Sequence, residues 1–396
     1  MIPSYGYYKE VFRGRPMPFA YVDLDLFDAN CASLAKRAAG KSLRVASKSV
    51  RCLALLKRIL ASNAVFRGVM CYSAREAVHL SGQGCDDLLV AYPVWDESYL
   101  REVCTELRRG RTLTLMVDSA EHVDRLEDAA RRADAVIPVC LDLDMSSNYL
   151  GLHFGVRRSP VNTVEQALAL SQRVLEQPHL RLDGVMGYEA QIAGLPDSLP
   201  GRPVRSAVLR LLKRRSVKAV ADRRAATVAA LRERGVALRF VNGGGTGSLE
   251  TTAAEEAVSE VTAGSGFYSP ALFDGYRAFQ HLPAAGFAVE ITRKPTSHVW
   301  TCHGGGLVAS GAAGRDRLPL PYLPTGAALT PAEGAGEVQT PVVYRGPEAL
   351  QLGDPVFMRH AKAGELCEHF DALLLVSAGK IVEEVRTYRG EGGCFL

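Results

Sequence analysis

From about residue 18 to residue 275 the chain repeats one pattern. A short continuous apolar run is followed by a segment whose apolar residues recur at helical spacing. FAYVDL (19–24) leads into a helix over 25–39, SLRVASK (42–48) into RCLALLKRILASN, and RGVMCYS (67–73) into AREAVHLSGQG. DDLLVAYP (86–93) leads into a helix near 96–109, and TLTLMVDS (112–119) into AEHVDRLEDAARRA. VIPVCLDLD (136–144) precedes a loop and a helix near 161–176, and LDGVMGYEA (182–190) precedes a long helical stretch over 204–234. LRFVNGG (238–244) precedes a short helix, and AVSEVTAGSG (257–266) supplies a last strand. Unbroken apolar strands alternating with helices predict parallel pairing under a cover of helices. Setting the first strand aside leaves eight β-units. The expected fold class is therefore α/β, a (β/α)8 TIM-like barrel over 18–275. An open doubly wound sheet has the same local pattern and is the alternative.

After about residue 276 the period changes. GFAVEITRKP, HVWTCHGGGLVASG, DPVFMRH and ALLLVSAGKIVEEVRTY alternate at strand spacing, and helical periodicity is nearly absent. This predicts a second, mostly β C-terminal domain over 276–396, which N-terminal residues 1–17 are placed to join. The Gly- and Pro-rich stretch GAAGRDRLPLPYLPTGAALTPAEGAGE (311–337) is predicted as a long loop.

Composition adds exclusions. The 396 residues are 47% hydrophobic and 23% charged, with a net charge of +4, which gives no electrostatic footprint for nucleic acid. One segment is basic: residues 202–235 hold eleven Lys and Arg against Asp222 and Glu233, which predicts a solvated outer helix. Nine cysteines lie without regular spacing and several sit inside apolar runs, as expected of buried reduced thiols. No apolar run reaches the roughly 20 residues that cross a bilayer, and the first residues carry no apolar stretch of leader length. The expectation is a cytoplasmic protein without nucleic-acid or membrane partners.

Three stretches concentrate chemistry. In SLRVASKSV, Lys48 closes the first barrel strand, at the end where barrels carry their active sites. A lysine there with a depressed pKa is a nucleophilic amine for an aldehyde. VNGGGTGS (241–248) and TAGSGFYS (262–269) follow strands seven and eight, where barrels commonly bind a phosphate. In a closed barrel strand one lies beside strand eight, so the amine and the phosphate donors meet at one mouth. Pyridoxal 5'-phosphate needs both.

These stretches carry a resemblance. PFAYVDLDLFDAN, VASKSVR, CYSAREAVHLSGQGCDDLLVAYP, GLHFGV, GYEAQ, VNGGGTGS and AGSGFY resemble the fold-type III pyridoxal-phosphate enzymes. Within that alanine racemase barrel family they look like the D-threonine aldolase and D-serine dehydratase branch. The resemblance implies Lys48 as the Schiff-base lysine, and Gly244, Gly245, Thr246, Gly264, Ser265 and Gly266 as the phosphate cradle. It implies Tyr188 and His153 as residues facing the cofactor, with His153 standing where the family usually has an arginine. That branch also carries a divalent metal, Zn or Mn, on a short His-x-Cys or His-x-Asp pair. The corresponding stretch, AGELCEHFDALLLV, offers Glu365 and Cys367, with His360 and His369 nearby. Cys302 and His303, in WTCHGGG, are candidates for the substrate side. The implied activity is that of a lyase on a small D-β-hydroxy-amino acid, with aldol cleavage ahead of β-elimination. An amino-acid racemase and a non-catalytic pyridoxal-phosphate carrier are the alternatives. The resemblance also implies a homodimer with a composite active site.

Overall fold

The computed structural model describes residues 3–149, 151–199 and 201–396. The chain opens with α1 (Tyr5–Val11), β1 (Phe19–Asp23) and α2 (Leu24–Arg37). Four strand–helix units follow: β2 (Ser42–Ala46) with α3 (Leu53–Ser62), β3 (Phe66–Cys71) with α4 (Ala74–Gly82), β4 (Leu88–Val90) with α5 (Glu97–Arg108), and β5 (Leu113–Val117) with α6 (Ala120–Ala133). β6 (Ile137–Asp144) leads into a small hairpin, β7 (Ser147–Tyr149) and β8 (Leu152–Phe154), and then α7 (Val164–Leu175). β9 (Leu180–Tyr188) is followed by α8 (Ala190–Ala193) and the long α9 (Pro203–Glu233). β10 (Phe240–Gly243), α10 (Leu249–Ala253), β11 (Glu260–Ala263) and α11 (Ser265–Tyr268) complete this part.

β2, β3, β4, β5, β6, β9, β10 and β11 form a closed parallel barrel, with β11 pairing back onto β2. These are the eight strands expected from the apolar runs, so the open-sheet alternative is set aside. Helix starts follow local rules. Asp23 caps α2 by accepting from the backbone of Asp25 and Leu26, and Thr163 and Gln166 form a capping box on α7. Val123, Leu126 and Ala130 of α6 recur at helical spacing and are buried against the barrel.

The remaining strands are β12 (Ala285–Arg293), β13 (Val299–His303), β14 (Leu320–Leu323), β15 (Ala328–Leu329), β16 (Gln339–Val343), β17 (Pro355–Arg359), β18 (Ala372–Ser377) and β19 (Lys380–Arg386). They form one sheet in the order β15-β16-β13-β12-β1-β18-β19, with β17 between β12 and β14. β1 is a member of this sheet, antiparallel to β12 and parallel to β18. α1 packs with it, since Tyr8 and Phe12 lie against Tyr21 and Phe357. Met1 and Ile2 lie outside the described residues. The stretch 311–337, expected as loop, contains β14 and β15. Leu320–Leu323 finds an edge on β17 that no local pattern announces.

α9 also departs from a plainly solvated helix. Arg224 is fully buried and Lys213 nearly so, each facing acidic partners. Among the described residues no helix is long and apolar enough to cross a membrane.

Candidate active site

β2 ends at Ala46, two residues earlier than the apolar run suggests, and Lys48 sits on a 3-10 turn over Ser47–Ser49. Ser47 breaks the ladder by donating its hydroxyl to the Met70 carbonyl. This turn lifts Lys48 off the barrel wall, so its side chain is exposed at the C-terminal mouth while Ser47 and Ser49 are buried.

The turn is clamped from the C-terminal part of the chain. Arg51 holds a left-handed backbone (φ 48°), donates from Nε to the Lys48 carbonyl at 3.0 Å, and pairs with Glu368 at 2.5 Å. The Tyr388 backbone N–H donates to Arg51 at 2.9 Å. Tyr268 and Cys367 both donate to the Val50 carbonyl, at 2.9 Å and 3.3 Å. Gly364 packs so closely on the Lys48 carbonyl that any side chain there would collide with it, and its φ of +84° is glycine's own region.

The two glycine turns lie beside Lys48. After β10, the carboxylate of Glu189 gathers the turn. It accepts from Ser248 Oγ at 2.7 Å, from Thr252 Oγ1 at 2.5 Å and from the Gly244 N–H at 3.2 Å. Glu189 is itself fixed by Arg224 at 2.8 Å. Thr246 then ties this turn to the next, because its hydroxyl accepts from the N–H groups of Gly264 and Gly266, at 3.4 and 3.1 Å. Arg37 donates to the Thr246 carbonyl at 2.6 Å and is held by Glu250 and His281. The turns after β2 and β11 are in contact. Ser49 Oγ and Ser265 Oγ are 3.5 Å apart, and a Cβ on Gly264 would sit 2.7 Å from Ser49 Oγ. Gly245, Gly247 and Ser265 remain partly open to solvent. An amine and a hydroxyl-lined, backbone-walled cradle thus share one mouth. That donor set fits the aldehyde and phosphate of pyridoxal phosphate. Gly244, Gly245, Thr246, Gly264, Ser265 and Gly266 are therefore brought together with Lys48, and Ser49 joins them.

Tyr188 closes β9 with its ring against Gly245. Burial, with the Glu189 and Tyr92 charges, pushes its phenol up to about 12. His153 lies on β8, paired with Asn148, and its Nε2 is buried without a hydrogen-bond partner.

The cation at the mouth comes from elsewhere. Arg158 donates from Nε to Asp142 at 2.6 Å and from Nη2 to the Ala91 carbonyl. Its guanidinium stands 4.8 Å from the Tyr92 ring centroid. Tyr92 follows β4 and is 42% exposed. The Lys48 charge, with Arg158, holds its phenol below the ordinary value. Burial pushes Asp142 up to about 7 against the pull of Arg158. The sequence reading missed Tyr92, Asp142 and Arg158. The rule that located Lys48 also covers Tyr92, since AYP follows a barrel strand.

The remaining candidates lie apart. Cys302 is fully buried between β12 and β16, and burial pushes its thiol up to about 12. His303 stands exposed at the strand end. Glu365 accepts from the Ser310 N–H at 3.0 Å, Cys367 faces Val50, His360 is buried and His369 is exposed. Among the described residues no group of three or more His, Cys, Asp or Glu could hold a metal ion. The donors present do not fit a metal centre.

Residues 22–271 match the family described as alanine racemase, N-terminal domain. The chain is 28% identical to a D-threonine aldolase from an Arthrobacter species over 276 residues, 67% of this chain and 65% of that one. It is 25% identical to the 3-hydroxy-D-aspartate aldolase of Paracoccus denitrificans over 253 residues, 63% of this chain and 59% of that one. These alignments span less than two thirds of either relative's own length. The crystal structure of D-threonine aldolase from Filomicrobium marinum shares the fold, with a TM-score of 0.79 at 23% identity over 95% of both chains. So does D-threo-3-hydroxyaspartate dehydratase from Delftia sp. HT23, with a TM-score of 0.73 at 20% identity over 94% of this chain and 98% of that one.

Proposed function

Because the chain belongs to the alanine racemase N-terminal domain family, the fold-type III pyridoxal-phosphate proteins, we propose that it is a pyridoxal-phosphate-dependent lyase acting on a D-β-hydroxy-amino acid. Cleavage between Cα and Cβ, as in an aldolase, is preferred over loss of the β-hydroxyl. The names of the curated relatives, both aldolases of this substrate class, support that order. The observation that carries the reading is the meeting of Lys48 with the two glycine turns at one barrel mouth.

In this reading Lys48 holds the cofactor aldehyde. The hydroxyls of Ser49, Ser265 and Thr246, with the backbone of both turns, hold the phosphate. Bound there, pyridoxal phosphate supplies an electron sink that weakens the bonds at an amino acid's Cα. The protein's own share is positioning. The Arg51 clamp fixes the direction from which Lys48 enters, Glu189 fixes the cradle, and Arg158 supplies a permanent positive charge at the mouth. Tyr188 walls the side near Gly245. No step is assigned to a divalent metal, since Glu365 accepts from Ser310, Cys367 donates to Val50, and among the described residues no three such donors stand together to hold an ion. The reading includes a homodimer, in which a second copy covers Tyr92, Trp95 and Val156, large apolar groups left exposed on the loops after β4 and β8.

The test uses the full chain with pyridoxal phosphate. Borohydride reduction followed by peptide mapping is expected to place the label on Lys48 and to give none in Lys48→Ala. D-threonine is expected to yield acetaldehyde and glycine, with or without a chelator. A label that persists in Lys48→Ala would overturn the site. Keto acid and ammonia in place of aldehyde would reassign the reaction to β-elimination. Activity lost on chelation would overturn the metal-free assignment.

A further inference from the structure

One buried charge near the cradle serves none of its turns directly: the ammonium of Lys213, on α9. Its side chain is 7% exposed. Its partners are few and specific. Nζ stands 4.7 Å from the centroid of the Tyr276 ring and 3.4 Å from Asp197 Oδ2. Burial pushes the amine below its ordinary pKa, and Asp197 pulls it back. A methionine would fill the same space without that desolvation cost, so packing alone does not account for a lysine.

Both partners lead to the cradle. The Tyr276 hydroxyl donates to the Ala193 carbonyl at 2.7 Å. Ala193 and Tyr276 together wall the turn after β10. A Cβ on Gly247 would collide with the Ala193 carbonyl oxygen and lie 2.5 Å from the Tyr276 ring, and a Cβ on Gly245 would lie 2.8 Å from the Ala193 Cβ. Asp197 joins the two segments that carry this wall. Its Oδ1 accepts from the Arg277 N–H at 3.1 Å, and the N–H groups of Asp197 and Ser198 donate to the Gly275 carbonyl at 2.9 and 2.8 Å. Arg210, one turn before Lys213, donates to the Asp197 carbonyl at 2.9 Å. α9 thus grips both segments, and Lys213 touches the ring and the carboxylate at once.

We propose that Lys213 is a positioning residue for the phosphate cradle, holding Tyr276 and the Ala193 segment against Gly245 and Gly247 so that the turn keeps the shape that receives a phosphate. A cation over the ring and an ion pair to the loop draw both segments toward one helix. The proposal rests on the reading that the two glycine turns take the cofactor's phosphate.

The test measures the affinity of the full chain for pyridoxal phosphate and, separately, for inorganic phosphate, with urea unfolding of each variant beside it. Lys213→Met keeps the apolar stem and removes the charge. Its dissociation constants for both probes are expected to rise at least about tenfold. Lys213→Met with Asp197→Asn also removes the carboxylate left without its lysine, while asparagine can still accept from Arg277. This double variant is expected to recover the stability lost in Lys213→Met but not the affinity. Tyr276→Phe loses the bond to Ala193 and is expected to weaken binding as well. Combined with Lys213→Met, it is expected to cost less than the sum of the two, because both act through one wall. Unchanged affinities in Lys213→Met, with Gly264→Ala weakened, overturn the proposal. So do affinities that return together with stability in the double variant, or effects of Lys213→Met and Tyr276→Phe that simply add. Failure of the cradle reading has a different signature: Gly264→Ala and Lys213→Met would both leave the two affinities unchanged.

Discussion

His281 gives the sharpest test of how the cradle is held. Its Nε2 accepts from Arg37 at 2.7 Å, and Arg37 in turn holds the Thr246 carbonyl. An imidazole that accepts from a guanidinium must be neutral. Burial, then the Arg37 charge, push its pKa from 6.5 to about 4, with Glu250 pulling weakly the other way. Below its ordinary pKa the unfolded chain binds a proton that the folded chain refuses. The stability contribution is therefore complete above about pH 6.5, is lost as pH falls, and is exhausted near about pH 4. At about 1.36 kcal/mol per unit the full loss is about 3.4 kcal/mol, and about 2 kcal/mol has gone by about pH 5. The assay is urea unfolding of wild type and His281→Gln at about pH 8 and about pH 5. Glutamine can still accept from Arg37 but cannot titrate there. Wild type is expected to lose about 2 kcal/mol more than the variant between the two conditions. Equal losses would mean that His281 is not held neutral against Arg37, and the account of the Arg37 anchor would fail with it.

Two further substitutions probe the turns around Lys48. Gly264→Ala places a Cβ 2.7 Å from Ser49 Oγ and 3.0 Å from the Ala46 side chain, so the turns after β2 and β11 must part. Its affinity for pyridoxal phosphate is expected to fall at least about tenfold, about 1.4 kcal/mol, with the circular dichroism spectrum kept, and an unchanged titration would remove Gly264 from the cradle. Cys367→Ser keeps a donor for the Val50 carbonyl, so the expected cost in unfolding free energy is below about 2 kcal/mol. It is also expected to leave lyase activity insensitive to chelator, and abolition of activity in a folded variant would instead mark the thiol as a metal ligand.

The barrel was legible because each of its strands is a local apolar run and closure follows from their number and order. Lys48 was legible as a mouth residue, but not as a turn residue, because Ser47 ends the strand through a contact with Met70 on the next strand. Arg158 was hidden for a related reason. It follows a small hairpin whose geometry brings it back over β4 and β6, and nothing in GLHFGVRRSP gives that direction. In the same stretch, His153 stands where the resemblance implies an arginine. The structure supplies an arginine at the mouth a few residues later. The membership of β1 could not be read locally either, since FAYVDL looks like every other strand of the barrel run and its partners lie near the far end of the chain.

That last pairing bears on how the molecule is made. β1 leaves the ribosome before the barrel does, yet its two hydrogen-bonding edges belong to residues 285–288 and 373–376. During synthesis this apolar segment must wait with both edges open while the whole barrel is translated. The same register joins the segment before the barrel to the segment after it, residues 20–23 to residues 373–376, like a buckle. A nick in a surface loop between barrel units would leave that buckle fastened, whereas loss of the final strands would release β1, and with it the Arg51 clamp that aims Lys48.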